Sequence, residues 1–293
     1  MSKQNHLKSF GRTRIVLRKP VPERNFHNFQ QEIWQFYRKH KRPMPWRETD
    51  DPYRILVSEI MLQQTQASRV LTKYPEFIKT FADFHQLNKA SFPKVLTVWQ
   101  GMGYNRRAKY LKQIAQKVIR EFAGRLPLDP RTLETFPGIG KATAASIVVF
   151  STNQPLIFIE TNIRRVYLDH FFPKTKSVND KQILQLVEVT LDRDKPREWY
   201  YALMDYGNWL GKTTPNSNRR SQHYTRQSPF SGSLRQVRGQ ILQALLNHGA
   251  MDSAQLKQTI TGNTAHFREA LAQLKAERLV EVKRRKVTLP SRL

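Results

Sequence analysis

The chain has 293 residues, 39% of them hydrophobic, which is enough for two domains with hydrophobic cores. It carries 50 Lys and Arg against 23 Asp and Glu, a net charge of +27 that indicates a polyanionic partner. Cysteine is absent, which excludes disulfides, thiolate catalysis, iron–sulfur clusters and Cys-ligated zinc. The eight histidines show no metal-type spacing.

A membrane surface is the alternative polyanion. No apolar run approaches the roughly 18 residues of a spanning helix, and the N-terminus shows no signal-peptide pattern. The charge therefore favours nucleic acid, and we expect a cytoplasmic, nucleoid-associated protein. Residues 1–24, with seven Lys or Arg and a single acid, Glu23, predict a basic arm that contacts phosphates. The alternative for this arm is a solvated tail.

Helical spacing of apolar residues dominates the chain from residue 25 to residue 212. Asp51 and Pro52 predict an N-cap followed by a proline in the first turn. Almost no stretch alternates with the period of a strand, so we predict an all-α domain. The predicted helices cover residues 26–37, 53–63, 68–80, 92–100, 106–122, 162–170, 180–191 and 197–210.

The remaining residues form a linker and a second, smaller domain. Residues 213–232 contain four Ser, two Pro, two Asn and three Arg but no acid, which predicts a linker that lies on a polyanion. Residues 233–293 predict three helices, with Asp252 capping the second, and then a β-hairpin with a basic tip at residues 283–286. This pattern is typical of a small α+β winged-helix domain, which binds DNA or a protein, and the basic tip favours DNA.

Residues 135–149 (Thr-Phe-Pro-Gly-Ile-Gly-Lys-Ala-Thr-Ala-Ala-Ser-Ile-Val-Val) predict a Gly-x-Gly turn before a helix that begins at Lys141. Gly138 and Gly140 permit a sharp turn and leave the first helical amides uncovered. Such amides and the helix dipole attract phosphate. A turn that only connects two helices is the alternative.

Two carboxylates are candidate catalytic groups. Glu59 shares a helix face with Ile55 among apolar neighbours, where a raised pKa suits a general acid, unless an arginine such as Arg54 or Arg69 pairs with it. Glu160 follows an apolar run and precedes a helix, so it is either an N-cap or a carboxylate that faces a cationic transition state. Cleavage of an N-glycosidic bond builds positive charge on the sugar, and an acid on the leaving group together with a carboxylate near the sugar meets that need.

A third group of polar residues suggests contact with DNA bases. Residues 63–66 (Gln-Gln-Thr-Gln) and Tyr104 lie next to predicted turns. Amides and an aromatic ring are inserted into a base stack by proteins that extrude a nucleotide. For the glutamines, a polar helix C-terminus is the alternative.

Five sequence motifs stand out along the first domain. They are Met-Pro-Trp-Arg (44–47), Pro-Tyr-Arg (52–54), Ser-Glu-Ile-Met-Leu-Gln-Gln-Thr-Gln (58–66), Trp-Gln-Gly-Met-Gly-Tyr (99–104) and Phe-Pro-Gly-Ile-Gly (136–140). In this order and spacing they resemble the adenine DNA glycosylases of MutY type, in the helix-hairpin-helix superfamily. The resemblance runs from about residue 26 to about residue 212, and the Leu-Gln-Gln-Thr-Gln block is its most specific part.

The resemblance implies a role for most of these residues. It makes Glu59 the general acid that protonates adenine and Asn162 the match of an asparagine two residues beyond the family's catalytic aspartate. Gln63, Gln64 and Tyr104 correspond to the wedge beside the mispaired base, with Gln66 in the same block. The remaining match is a hairpin whose amides hold a phosphate, with a bound Na⁺ or K⁺ ion, and it comprises Gly138, Ile139, Gly140 and Lys141.

Four departures from the family pattern matter. Glu160 replaces the aspartate and is one methylene longer, but we still assign it the stabilisation or capture of the oxocarbenium ion. Ala142 occupies the Schiff-base lysine position of bifunctional relatives, and Lys141 lies one step, about 100°, away on the helix. The cysteine loop of the family's iron–sulfur cluster is replaced by residues 211–220, where Arg219 and Arg220 are predicted DNA contacts. The 8-oxoguanine-reading C-terminal domain is replaced by the predicted winged helix.

The sequence therefore predicts a monomeric, monofunctional DNA glycosylase without an iron–sulfur cluster or other cofactor. We expect it to act on double-stranded DNA with a mismatch or lesion and to remove adenine opposite 8-oxoguanine or guanine. Within enzymes, the alternative is a relative that removes thymine or uracil opposite guanine, or hypoxanthine. Outside enzymes, the alternative is a non-catalytic DNA-lesion binder.

Overall fold

The structure, a computed structural model, describes residues 23–226, 229–262 and 264–291. The predicted basic arm therefore lies almost entirely outside the described residues. The chain divides into two compact units. The first unit comprises the described part of Met1–Lys41, Ile159–Leu191 and Trp199–Tyr224, and the second comprises Arg42–Phe158, Asp192–Glu198 and the described part of Thr225–Leu293. Among the described residues, no helix is both long and apolar enough to cross a membrane.

The first unit is built on helices α1 (Glu23–His40), α9 (Thr161–Phe171), α10 (Asp180–Thr190) and most of α11 (Pro196–Thr213). Its core is aromatic. Phe29 contacts Tyr167 and Phe171, with ring centroids 5.3 and 5.0 Å apart, and Trp34 lies 5.7 Å from the buried Trp199. Such tilted and edge-on pairs add to the free energy that burial of the rings contributes.

The second unit contains a short 3₁₀ helix (Pro45–Arg47) and seven helices that precede Phe158. These are α2 (Pro52–Leu62), α3 (Ala67–Thr80), α4 (Phe84–Lys89), α5 (Phe92–Trp99), α6 (Arg106–Glu121), α7 (Pro130–Leu133) and α8 (Lys141–Thr152). Their apolar faces bury Ile60, Phe77, Trp99 and Leu111 almost completely. Helices α2 and α8 pack directly on each other, which brings the predicted general acid next to the predicted hairpin.

Residues 234–291, called here the C-terminal segment, belong to the second unit and share its hydrophobic core. They form α12 (Leu234–His248), α13 (Ser253–Gln258) and α14 (Phe267–Ala276) and strands β1 (Met251–Asp252), β2 (Glu281–Lys283) and β3 (Lys286–Thr288). The strands make an antiparallel sheet in the order β1-β3-β2. The predicted hairpin is therefore present, and β1 adds a third strand that the sequence pattern did not indicate.

The predicted helical architecture is confirmed, with ends that move by a few residues. Asp51 accepts a hydrogen bond from the Tyr53 amide at 2.9 Å, and Asp252 accepts one from the Ala254 amide at 2.8 Å, so both predicted caps are present. Helices α4 and α7 were not predicted, because one or two turns are too short to show an apolar period. Their caps, Asp83 and Asp129, were the available signal.

Candidate catalytic site and nucleic-acid interface

The predicted hairpin is present between α7 and α8, and α8 begins at Lys141. Gly138 has a φ of +78°, and a Cβ there would lie 2.3 Å from the Tyr110 ring, so this position requires glycine. Gly140 differs, because its φ is −97° and a Cβ would meet no atom within 4 Å. Gly140 therefore leaves space in front of the first amides of α8, where no side chain caps the helix.

Gln63, at the end of α2, is bound to the hairpin. Its Nε2 donates to the carbonyl of Gly138 at 3.0 Å and to the hydroxyl of Thr143 at 3.3 Å. Gln63 therefore ties α2 to the turn that presents the α8 amides. Gln64 and Gln66 are exposed, and Gln64 has a φ of +53°, a left-handed conformation that strains a residue with a side chain.

Tyr104 lies in a second strained turn, with a φ of +46°. We call residues 63–66 the glutamine loop and residues 100–105 the tyrosine loop. Buried Arg107, at the start of α6, binds both loops, and its guanidinium carbon lies 5.3 Å from the Tyr104 ring centroid. Its hydrogen-bond acceptors are the carbonyls of Ile60, Met61, Gln63, Met102 and Gly103 and the hydroxyl of Thr65.

Arg107 was missed by the sequence analysis. Burial lowers the pKa of its guanidinium to about 10, so the group stays charged at neutral pH. A charged donor that binds six acceptors fixes two strained loops that would otherwise expose unpaired carbonyls. Its sequence signal was weak, since Arg107 follows Arg106 in a helix with many basic residues.

Glu59 projects from the middle of α2 towards α8. The hydroxyl of Ser146, a buried residue of α8, donates to its Oε2 at 2.5 Å and lies 3.0 Å from the carbonyl of Thr143. Arg54, one of the two arginines weighed as partners for Glu59, lies 3.5 Å from Asp51. The pairing of α2 with α8 thus places a carboxyl group one helix turn from the hairpin, held by a neutral hydroxyl.

Glu160 is the N-cap of α9. Its Oε1 accepts hydrogen bonds from the main-chain amides of Asn162 and Ile163, both at 2.8 Å. The N-cap that the sequence suggested for Glu160 is therefore present. Burial raises the pKa of the Glu160 carboxyl. The hydrogen bonds from the two main-chain amides and the nearby charges of Arg164 and Arg165 oppose that rise. One carboxylate oxygen is fixed by the helix, and Oε2 lies 3.3 Å from the side-chain amide of Asn162.

Asn162 is oriented by Arg165, a second residue that the sequence analysis missed. The guanidinium of Arg165 donates to Asn162 Oδ1 at 2.9 Å and to the carbonyl of Gly207 at 2.6 Å. This contact turns the Asn162 Nδ2 group towards Glu160. Gly207 of α11 permits the arrangement, because a Cβ there would lie 2.3 Å from the main-chain oxygen of Asn162.

The loop that replaces the cysteine loop is held by polar contacts. Asn218 Nδ2 donates to the carbonyl of Thr161 at 3.1 Å, and Ser217 donates to Asp169 at 2.8 Å. Arg220 donates to the carbonyl of Leu168 at 2.9 Å, whereas Arg219 is exposed. With no cysteine in the chain, the residues present do not fit an iron–sulfur cluster. Among the described residues, no cluster of His, Asp and Glu is arranged to hold a metal ion.

Each unit thus collects part of the predicted site. Within the second unit, Glu59, Gln63, the hairpin and Tyr104 are joined through Ser146, Thr143 and Arg107. Within the first unit, Glu160, Asn162 and the loop with Arg219 and Arg220 gather around the start of α9.

Comparison with known proteins identifies the family. The model of the HhH-GPD superfamily base excision DNA repair protein matches residues 57–191, the part of the chain that carries Glu59, the hairpin and Glu160. An adenine DNA glycosylase of Mycobacterium tuberculosis is 30% identical over 281 residues, which cover 87% of this chain and 90% of that protein. The chain belongs to this superfamily. The MutY-type glycosylase family predicted from the motifs is confirmed.

Two further relatives show how far the likeness extends. An adenine DNA glycosylase of Buchnera aphidicola is 32% identical over 196 residues, and the match covers 65% of this chain. The chain spans only 55% of that relative's length. The solved structure of a thermostable thymine-DNA glycosylase superposes with a TM-score of 0.57 at 28% identity, covering 63% of this chain and 86% of that chain. Family members that resemble this chain are thus named for two different bases.

Proposed function

We propose that this protein is a monofunctional DNA glycosylase that flips a mispaired base and hydrolyses its bond to deoxyribose, with adenine opposite 8-oxoguanine or guanine as the substrate. The observation that carries the proposal is one hydrogen-bonded assembly in the second unit. There, Glu59 of α2 is bound to Ser146 of α8, and Gln63, which directly follows α2, is bound to Gly138 of the hairpin and to Thr143 of α8. A proton donor and a backbone grip held in one fixed geometry suit the removal of a base from a phosphate-anchored nucleotide.

In this mechanism Glu59 gives its proton to a ring nitrogen of the base. The bond between the base and C1′ then breaks, its electron pair leaves with the base, and positive charge develops on the sugar. Ser146, which donates to Oε2, keeps the acidic proton on the other oxygen of Glu59 and stabilises the carboxylate that remains. Water completes the reaction by adding to the sugar and losing a proton.

Glu160 stabilises the sugar cation or captures it covalently before water releases it. The N-cap amides hold Oε1, and the side-chain amide of Asn162 contacts Oε2, so the carboxylate is pre-oriented before substrate binds. We therefore propose Glu59, Glu160 and Asn162 as the catalytic residues. The role of Glu160 at the aspartate position of the family remains a prediction.

The hairpin holds the DNA backbone in this proposal. The uncapped amides at the start of α8 attract a phosphate, and exposed Gly138 and Gly140 let the strand approach. We also propose a bound Na⁺ or K⁺ ion at this hairpin, as the family resemblance implies, with main-chain carbonyl oxygens near Gly138 and Gly140 as its ligands. No step of the reaction depends on that ion. Gln64 and Tyr104, in the strained loops, are the residues we propose as the wedge, with Gln66 beside them.

Lys141 is exposed at the first position of α8, and Ala142 follows it without a nucleophilic group. We therefore propose base removal without strand cleavage, with Lys141 as a contact to the DNA backbone. Arg219, which is exposed, is proposed as a second backbone contact. Arg220 is proposed as a third backbone contact, although its guanidinium also binds the carbonyl of Leu168.

We also propose that the C-terminal segment is a winged helix. Three helices, a strand between the first two and a terminal hairpin support this identification. Arg284 at the hairpin turn has a φ of +57° and lies among Lys283, Arg285 and Lys286, so the tip is strongly basic. We propose a monomer that acts on nucleoid DNA, with this tip as one of its DNA contacts.

A second substrate, thymine or uracil opposite guanine, is favoured by one specific observation. The structural relative that superposes at 28% identity is named a thymine-DNA glycosylase. Since Glu59 and Glu160 can serve the departure of either base, the choice depends on the pocket around the extruded base. We place adenine first because the Mycobacterium tuberculosis relative is named an adenine DNA glycosylase, and the match with this chain covers 90% of that relative's length.

A single-turnover assay on a duplex panel tests the proposal. The panel carries A opposite 8-oxoguanine, A opposite G, T opposite G, U opposite G and hypoxanthine opposite T, with alkali treatment to reveal abasic product. We expect product from the two adenine duplexes and no covalent adduct on borohydride treatment. Product from the T or U duplexes alone would mean that thymine or uracil, and not adenine, is the substrate. If no duplex gives product, the enzymatic function is refuted and the alternative of a non-catalytic DNA-lesion binder is supported.

A further inference from the structure

A groove with a volume of about 460 Å³ lies in the second unit between α6, the end of α14 and strand β2. We call it the basic groove. The apolar part of its lining consists of Val280 and Pro290, which are buried, and half-buried Val282. The volume is in the range of about 300–1,000 Å³ that is usual for ligand sites. None of the residues assigned above to catalysis or to the wedge lines the basic groove, so it is a separate site.

The polar part of the lining is strongly basic. The positive charges belong to Lys109, Lys275, Arg278 and Lys283. Glu281 is the one acid among the described residues that line the groove, and it pairs with Lys283 at 3.2 Å. Four cations and one acid leave an excess of three positive charges in the lining.

Lys109 of α6 is held in place without a carboxylate of its own. Its Nζ group donates to the main-chain carbonyl of Glu277. Burial lowers the pKa of Lys109, and the neighbouring charge of Arg278 lowers it further. These effects outweigh the opposing charge of Glu277, whose carboxylate already pairs with Arg106 and with Arg238. The charge of Lys109 would therefore gain from a further anion in the groove.

The other two cations are open to solvent. Lys275 and Arg278 are exposed, and neither side chain forms an ion pair with any carboxylate in the part of the chain that the structure describes. A concave surface that carries unpaired charge of one sign concentrates counter-ions from solution. The basic groove is thus suited to an anionic ligand.

Strand β2 adds a second recognition feature. It lies at the edge of the sheet, with β3 on one side and no described strand on the other. Residues 280–283 all line the groove, although successive side chains of a strand point to opposite faces of the sheet, so the groove follows the edge of β2. Main-chain donors and acceptors at such an edge are available for pairing with a further strand.

These features together select an extended acidic peptide. Its main chain can pair with the edge of β2, its apolar side chains can pack on Val280 and Val282, and its carboxylates can neutralise the cations. Duplex DNA offers phosphates to the cations, but it offers neither apolar side chains nor a main-chain partner for a strand edge.

The chain itself does not supply a suitable occupant. Residues 1–24, with seven basic residues and one acid, have the wrong charge for the basic groove. A second copy of a chain with a net charge of +27 would be repelled. The occupant therefore belongs to a different, acidic protein.

We propose that the basic groove binds an extended acidic segment of a partner protein, which adds to the sheet as a strand beside β2. Its carboxylates contact Lys109, Lys275 and Arg278. This inference goes beyond the proposed function and does not depend on base removal. The C-terminal segment then has two separate binding surfaces, the hairpin tip for DNA and the edge of β2 for a protein.

The test is fluorescence polarisation with the full chain at about 0.15 M salt, where distant exposed charges are screened. The probe is a fluorescein-labelled peptide of about ten residues in which Asp or Glu alternates with Ile or Val. Two comparison peptides keep its charge. One has Ser at each aliphatic position, and the other is N-methylated along its centre, which removes main-chain donors. We expect each comparison peptide to bind about 10-fold more weakly or worse.

The K275E/R278E double variant assigns the binding to the groove. We expect it to weaken binding of the alternating peptide about 10-fold or more, because it reverses two of the unpaired charges. K257E/R268E is the matched control, since it makes the same change of charge at exposed positions of α13 and α14 outside the lining. The control should bind the peptide within about 2-fold of the unchanged protein, and both variants should keep the rate of base removal.

Four results would overturn the proposal. Equal binding of the Ser peptide would show attraction by charge alone, and undiminished binding of the N-methylated peptide would exclude strand addition. Equal losses in the two double variants would place the binding elsewhere. An equal loss of affinity of K275E/R278E for a DNA duplex would make the groove a DNA contact.

If K275E/R278E does not fold, K275E alone takes its place, with an expected loss of about 3-fold. A protein that binds the alternating peptide in the groove but excises no base would uphold this inference and refute the proposed function.

Discussion

The two candidate catalytic carboxylates are held in different ways. Glu59 lies in the middle of α2 and meets Ser146, which is 87 residues away in the chain. Glu160 lies at the start of α9 and is held by amides two and three residues further on. The first environment is made by packing of two helices, and the second is made by the local chain. The difference suits their proposed roles, since a proton donor needs a neutral partner and a carboxylate that faces a cation needs a fixed orientation.

Removing each carboxylate should give the largest effect and the clearest comparison. E59Q and E160Q keep the shape of the side chains but remove the proton donor and the negative charge. We expect each to lower the single-turnover rate about 1,000-fold or more, with binding to an abasic-analogue duplex nearly unchanged. The test is to measure the single-turnover rates of E59Q and E160Q with enzyme in saturating excess over the duplex. Full activity of E160Q would remove Glu160 from the mechanism and leave it as a cap.

The G207A substitution should displace Asn162 and thereby disturb the contact between Asn162 and Glu160. The added Cβ would lie 2.3 Å from the Asn162 oxygen, a main-chain atom that cannot move without shifting α9. We expect the rate to fall about 100-fold, because a displacement of about 1 Å has this cost at a catalytic group. G239A, at a helix glycine with open space, is the matched substitution for folding, and its thermal stability should rise. An active G207A would show that the position of Asn162 does not matter.

The support of Glu59 is tested by S146A with S58A as its control. Both serines are buried, and each hydroxyl bonds a carbonyl one helix turn back, but Ser146 also donates to Glu59. We expect S146A to lower kcat about 10-fold with KM unchanged, and S58A to leave kcat within about 2-fold. Equal effects of the two substitutions would assign Ser146 a purely structural role.

The smallest expected effect is a change in thermal stability that follows from ionisation of the Glu160 carboxyl. Burial raises the pKa of this carboxyl above its ordinary value of 4.5. The folded state then binds the proton more tightly than the unfolded state, so this group's contribution to stability is complete at low pH and is lost as pH rises through the raised pKa. E160Q has no such loss, and we expect its Tm to exceed that of the unchanged protein at pH 7.

The same comparison at pH 4.5 completes this test, because the two Tm values should then converge. A lower Tm for E160Q at pH 7 would mean that the charged cap stabilises α9 more than burial of the charge destabilises it. E59Q, measured in parallel, reports whether loss of a catalytic carboxylate in itself changes Tm.

Much of the helical fold follows from the sequence, because apolar period, proline and capping residues are local signals. Asp51 and Asp252 cap the helices that they were predicted to cap. The one-turn helix α7 and strand β1 were missed, since such short elements carry little pattern of their own. The boundaries of the predicted domains remain predictions. In the structure, the C-terminal segment belongs to the same unit as residues 42–158 through a shared hydrophobic core, which no change of composition along the chain indicates.

The sequence by itself determined the family, the glycine turn and the absence of cysteine ligands, and it singled out the two candidate carboxylates, because each is a matter of residue type and spacing. Only the tertiary structure assigned Ser146 to Glu59, Arg107 to the two strained loops and Arg165 to Asn162. It also showed that Arg235 of the C-terminal segment contacts Tyr104. These partners are between 3 and 131 residues apart in the chain. Most of these partners lie in different elements, so the packing of the helices decides which of these side chains come within hydrogen-bonding distance.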